Sequence, residues 1–136
     1  MKLVFDTNIF ISAFVIPNSK AAKAILRILE GADSLVISKD IINEVLSVLS
    51  TKFHRDSEAI SHTALYLSDI ARIVKPVRKI HILEDDPDNM VLECALHGKA
   101  DAIVTGDKEM LKLKEFEGIK IISLKGYLEG YGEAHK

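Results

Sequence analysis

Residues 85–107 read DDPDNMVLECALHGKADAIVTGD, and no other stretch limits the fold so tightly. Behind an acidic cluster, Val91, Leu92, Ala95 and Leu96 fall at helical spacing and give a helix one face to bury. Asp88 and Asn89 stand at the opening of that helix, where a carboxylate can accept orphan amide hydrogens and sits well against the positive end of the dipole. Gly98 closes the helix, and Ala102, Ile103 and Val104 form an apolar run too short for another helix and bounded by turn residues. Such a run suits an interior parallel strand. Thr105, Gly106 and Asp107 follow at its carboxyl end, the edge at which open α/β sheets place their binding crevices. The stretch therefore predicts two acids, Asp88 and Asp107, on one rim.

A chain of 136 residues that is 48% apolar can bury one sizeable core without disulfides or structural metal, so a single domain over residues 1–136 is expected. The one cysteine, Cys94, lies inside the apolar helix and leaves neither a disulfide framework nor a CxxC zinc site. Asp6 interrupts any signal-peptide core, and the apolar segment 9–16 is far below the ~20 residues of a membrane span. These features predict a soluble protein of the reducing cytoplasm. The formal charge of −2 does not announce a nucleic-acid binder. Four acids neutralised by metal in one site would, however, leave the remaining surface net positive, which is compatible with a phosphate-bearing substrate.

In chain order, Leu3, Val4 and Phe5 read as a buried strand that ends at Asp6-Thr7-Asn8. Either Asp6 or Thr7 could simply cap the helix that follows over 9–15. Pro17 breaks that helix, and Ser19 caps a second one over 20–30, with Ala21, Ala24, Ile25, Ile28 and Leu29 on one face and Lys20, Lys23 and Arg27 on the other. Residues 35–38 form the next strand. A third helix over 39–52 turns Ile41, Ile42, Val45, Leu46, Val48 and Leu49 inward and carries Glu44 about a turn and a half beyond the strand end. A long helix over 56–70 should bury Ile60, Ala64, Leu67 and Ile70, and a strand over 72–76 should bury Ile73 and Val74. After Asp107 come a short helix over 108–113, a strand over 119–122 and a helical turn over 125–131. Strands alternating with helices predict a parallel sheet of four or five strands covered on both faces.

Asp6, Glu44, Asp88 and Asp107 thus come from four elements, each predicted at or near the carboxyl edge of the sheet. Two carboxylates ~4 Å apart repel by about 4 kcal/mol at an effective dielectric of 20, so such a cluster must take up protons or bind cations. With oxygen ligands alone, magnesium or manganese fits and zinc does not. These ions can orient a water, lower its pKa and stabilise charge on a phosphodiester, so phosphodiester hydrolysis is the chemistry the constellation suits.

The residues Leu3 to Asn8, Ser38 followed by Glu44, Asp86-Pro87-Asp88-Asn89 before Leu92-Glu93-Cys94-Ala95, and Ile103 to Asp107 carry a resemblance to the PIN-domain ribonucleases. The likeness is closest to the small single-domain PIN proteins of the VapC toxin type and covers essentially the whole chain in order. It implies a three-layer α/β/α sandwich with a central parallel sheet. It also implies a Mg2+- or Mn2+-dependent ribonuclease, with Asp6, Glu44, Asp88 and Asp107 as catalytic metal-binding acids and Asn8 and Thr105 as polar supports. RNA as substrate and an antitoxin partner come with it. A homodimer is expected from the apolar first two helices and from the habit of similar small PIN proteins. The alternatives are a non-catalytic module that binds RNA or an antitoxin, and a PIN nuclease of RNA processing or decay. A receiver domain would need an aspartate where the third strand runs into Lys75-Pro76, and an aspartyl phosphatase would need an acid at Asn8.

Overall fold

A computed structural model describes residues 1–130; the expected closing turn reaches Tyr131, which lies outside the described residues. Five parallel strands carry the architecture: β1 (Lys2–Phe5), β2 (Ser34–Ser38), β3 (Ala71–Val74), β4 (Ala102–Thr105) and, after a two-residue β5 (Glu115–Phe116), β6 (Ile119–Ser123). Their order is β3-β2-β1-β4-β6-β5, with only β5 antiparallel to its neighbour. The parallel count matches the expectation of four or five. The added β5 is an antiparallel edge strand, too short and too polar to announce itself by periodicity.

Helices α1 (Thr7–Val15), α2 (Lys20–Leu29), α3 (Lys39–Thr51), α4 (Ser57–Ile70), α5 (Asp86–His97), α6 (Lys108–Leu111) and α7 (Leu124–Leu128) flank this sheet as a mostly parallel α/β sandwich. The three central strands are apolar along their length because both faces are covered: Leu3, Val4, Phe5, Leu35, Val36, Ile37, Ile103 and Val104 are all 2% exposed or less. Side-chain hydroxyls begin the helices as anticipated, with Ser19 accepting from the amide of Ala22 at 3.1 Å and Ser38 from that of Ile41 at 3.2 Å. Among the described residues no single helix is long and apolar enough to cross a membrane. The pair α1 and α2 has the length but bends by 101°.

Three expectations are corrected. Ile73 of β3 is 45% exposed, because β3 is an edge strand of the sheet rather than an interior one. In α4 only Leu67 is buried, while Ile60, Ala64 and Ile70 are half-buried and Leu65 is 65% exposed. In α2, Leu29 of the expected apolar face is 53% exposed, while Arg27 of the basic face is half-buried over the ring of Tyr127, 4.9 Å from its centroid.

Gly98 ends α5 for a different reason from the usual left-handed cap. Its φ is −79°, and the left-handed position falls one residue later on Lys99 at +54°. What requires glycine is space: a Cβ would stand 2.6 Å from Cγ1 of Val36 and 3.0 Å from the carbonyl oxygen of Cys94. Val36 is buried and stiff at χ1, so the contact cannot be relieved by a swinging side chain. Gly98→Ala is therefore expected to cost about 1–3 kcal/mol, the usual range for overpacking. Urea unfolding should show the loss as a lower midpoint at an unchanged slope.

Candidate active site and metal centre

Parallel strands with a common register put all their carboxyl ends on one rim. Phe5 lies opposite Val104, Ser38 opposite Val74 and Thr105 opposite Ser123. Asp6 follows β1, Asp107 follows β4 by two residues, and Asp88 sits in the first turn of α5, whose start opens on the same rim. Asp88 was expected to open α5, but the helix begins at Asp86 with Asp85 at the cap, and Asp85 makes no side-chain capping bond. Pro87 in the first turn needs no amide partner and suits that position.

Asp6 is 2% exposed, yet it is held on all sides. Its Oδ2 accepts the hydroxyl of Thr105 at 2.6 Å, and its Oδ1 accepts the amide of Asn8 at 3.4 Å, so it also caps α1. The Thr105 hydroxyl in turn accepts the amide of Asp107 at 3.0 Å. One hydroxyl thereby ties the acid of β1 to the acid of β4. Burial raises the pKa of Asp6 and the Asp107 charge adds to the rise, against lowering by hydrogen bonds from Thr105, Asn8 and Thr7. Asp88, 8% exposed, is pushed up to about 8, first by burial, then by a carboxyl–carboxyl hydrogen bond with Asp107 and by the charges of Asp107, Asp6 and Asp85.

Three of the four expected acids therefore meet. Glu44 lies half-buried on α3, and among the described residues no hydrogen bond or ion pair joins it to the others. Thr105, expected as a polar support, donates its hydroxyl to Asp6 and accepts the Asp107 amide. Asn8 contributes its backbone amide, while the residue itself is exposed.

The donor set fits a hard divalent cation in kind, since it consists of carboxylate oxygens that burden one another when charged. It is not closed around one point: among the described residues no three acidic, histidine or cysteine side chains stand ready to ligate an ion together. Burial and the neighbouring charges of Asp107, Asp6 and Asp85 push the Asp88 carboxyl up, a burden that a bound cation would relieve. Asp6, Asp88 and Asp107 are the side chains that could hold such a cation.

Two polar residues of α5, Asn89 and Glu93, have a role that sequence reasoning missed. Asn89 is 3% exposed and clasps the backbone of Leu83 at both ends, accepting its N–H at 2.9 Å and donating to its carbonyl at 2.8 Å. Glu93 is 5% exposed and accepts the amide of Ile80 at 2.9 Å, with the Lys79 ammonium 4.0 Å away. Together they strap segment 75–85 onto α5 and so fix the approach to Asp88. A polar residue on an otherwise apolar helical stripe was the available signal. Cys94 beside them is inert, its thiol pushed up to about 12 by burial.

The raised acids set a pH dependence. With the Asp88 pKa at about 8 in the folded chain against 3.8 for the free group, the native state keeps a proton that the unfolded chain has released. This contribution to stability is complete below about pH 4 and is lost as pH rises towards 8. Metal-free protein should accordingly melt lower at pH 8 than at pH 5, Mn2+ should restore the loss, and Asp107→Asn should flatten the profile. Thermal melting with and without Mn2+ checks all three.

Comparison with known proteins agrees with this fold. The sequence profile of the PIN domain matches residues 2–109. The uncharacterized protein MJ1680 of Methanocaldococcus jannaschii is 30% identical over 119 residues, which is 85% of this chain and 76% of that protein. Among solved structures, VapBC2 from Rickettsia felis, bound to a DNA fragment from the promoter, superposes with a TM-score of 0.65. That likeness covers 90% of this chain and 98% of the other at 15% identity, and at that level it speaks for the fold. With a profile match over most of its length and the acids of Asp6, Asp88 and Asp107 gathered on one rim, the chain belongs to the PIN domain family.

Proposed function

We propose that this chain is an endoribonuclease that hydrolyses RNA phosphodiester bonds with Mg2+ or Mn2+, and that it acts in the cytoplasm as the toxin of a toxin–antitoxin pair. The observation that carries the reading is the Asp6–Thr105–Asp107–Asp88 cluster, in which burial and mutual charge raise the pKa of Asp6 and Asp88, a burden that a divalent cation would relieve. A bound divalent ion would supply an activated water and stabilise the charge that develops on the phosphate. The chain's own part is to orient Asp6 through the Thr105 hydroxyl and to hold the Asp107 turn by the same oxygen, and Asp6, Asp88 and Asp107 would supply the carboxylates that hold the ion. Glu44 completes the ligand set by the family pattern, and Asn8 faces solvent where a substrate could meet it.

Expected outcomes are direct. Asp6→Asn, Glu44→Gln, Asp88→Asn and Asp107→Asn should each remove most Mn2+-dependent cleavage of single-stranded RNA, with circular dichroism unchanged. Near wild-type cleavage by two of these variants would overturn the assignment. RNA binding without any cleavage would favour the non-catalytic module.

For the partner, the groove between α1, α2 and α4 is the surface that supports the reading. It has a volume of about 740 Å³ and is lined by Phe14, Ile25, Leu26, Leu29 and Tyr66, with Lys23 among its lining residues. Leu26 and Leu29 are 49% and 53% exposed there. An amphipathic antitoxin helix with apolar residues on one face and acids along its flank suits this shape and charge. Leu26→Glu with Leu29→Glu should abolish co-purification of the chain with such a partner. The homodimer is read by sedimentation velocity at micromolar concentrations; if a second copy fills the groove instead, the same pair of changes should dissociate the dimer.

A further inference from the structure

We infer that four lysines placed just beyond the carboxyl ends of β3, β2, β4 and β6 form a track for the phosphates of a single-stranded nucleic acid, laid across the sheet with the acids at its centre. This deepens the nuclease reading and rests on it. Lys75 follows β3, Lys39 follows β2, Lys108 comes three residues after β4, and Lys125 comes two residues after β6. In the order of the sheet they run Lys75, Lys39, then Asp6 and Asp107, then Lys108 and Lys125. The register makes the strand ends level, with Ser38 opposite Val74, Thr105 opposite Ser123, and the amide of Asp6 donating to the carbonyl of Val104 at 3.0 Å, and each lysine stands one to three residues beyond its strand end. At about 4.8 Å per strand the row spans about 19 Å.

All four lysines are exposed, and among the described residues none is in an ion pair. Several cations elsewhere are engaged, as in Arg78 with Glu117 at 3.0 Å, Lys79 with Glu93 at 4.0 Å, and Lys120 with Glu115. Beside Lys108, the acid Glu109 is taken by Lys112 at 2.9 Å, which leaves Lys108 uncommitted. A row of free ammonium groups on both sides of a carboxylate cluster draws a polyanion to the rim while the acids hold off every phosphate except one neutralised by metal. Phosphate contacts of this kind position a strand without reading its bases.

The test is the salt dependence of binding, measured by fluorescence anisotropy of labelled oligouridine in EDTA, so that no strand is cut. Each phosphate neutralised on a single strand contributes about −0.7 to the slope of log K against log salt, so the four lysines together should contribute about −2.8. Lys75→Gln, Lys39→Gln, Lys108→Gln and Lys125→Gln should each lower that slope by about 0.7. Lys52→Gln, at the far end of α3 from Lys39, should leave it unchanged. Oligothymidine should show the same losses, because the track reads phosphates and not the 2′-hydroxyl. In Mn2+ the four variants should raise KM with kcat preserved. Two or more silent lysines, or an equal loss from Lys52→Gln, would overturn the track. A wild-type chain that binds the strand with these slopes but never cleaves it would leave the track standing and overturn the nuclease reading alone.

Discussion

The bond from the Thr105 hydroxyl to Asp6 is the contact on which the rim depends. It is buried, 2.6 Å long, and spans 99 residues of sequence between adjacent strands. A hydrogen bond to a charged group contributes about 1.5–3 kcal/mol, and here it is needed, because a carboxylate that is 2% exposed would otherwise lack enough partners to stay ionised. The same oxygen accepts the Asp107 amide, so the turn after β4 is held by the atom that holds Asp6. Neither acid can shift without disturbing the other. The strand pairing of β1 with β4 is thereby converted into a fixed relation between two catalytic candidates.

Asp88 arrives by another route. It is carried by α5, whose first turn has no side-chain cap of its own. The entry to that helix is fixed instead by Asn89, which closes both hydrogen bonds of Leu83, and by Glu93, which accepts the amide of Ile80. Side-chain groups that satisfy a loop's backbone do the work that strand pairing does for the other two acids. The mutual repulsion at the rim is thus opposed by two separate anchors, a sheet ladder and a strapped loop, which hold the carboxylates on one rim.

Much of this was legible in the residues alone, and the misses have physical causes. Strand and helix order, the parallel sheet and the convergence of Asp6, Asp88 and Asp107 follow from short apolar runs that end in polar residues, a pattern set by burial on both faces. Periodicity shows that α4 and β3 have an apolar face, but not whether anything packs against it; β3 lies at the sheet edge and α4 is left half-covered, so Ile73 and Leu65 reach solvent. Gly98 was legible as a helix end, but its cause, the 2.6 Å approach of Val36, belongs to tertiary packing. Asn89 and Glu93 were hidden for the same reason: their partners are backbone atoms of a loop with no pattern of its own. Glu44 shows the converse, a residue whose place in the chain fits the family while the structure joins it to none of the other acids.

The net charge of −2 misleads because it averages over a surface that is not uniform. Acids are concentrated where the central strands end, and lysines follow the strand ends on either side. In a parallel sheet this arrangement is cheap to build, since the residue after each strand is already a turn or a helix start exposed to water. Basic residues there cost the core nothing, whereas acids at the centre must be supported, Asp6 by Thr105 and the start of α5 by Asn89. The division of labour follows from the fold: outer strand ends are free to attract a phosphate backbone, and only the middle ones, β1 and β4 with α5 beneath them, have neighbours close enough to press carboxylates together.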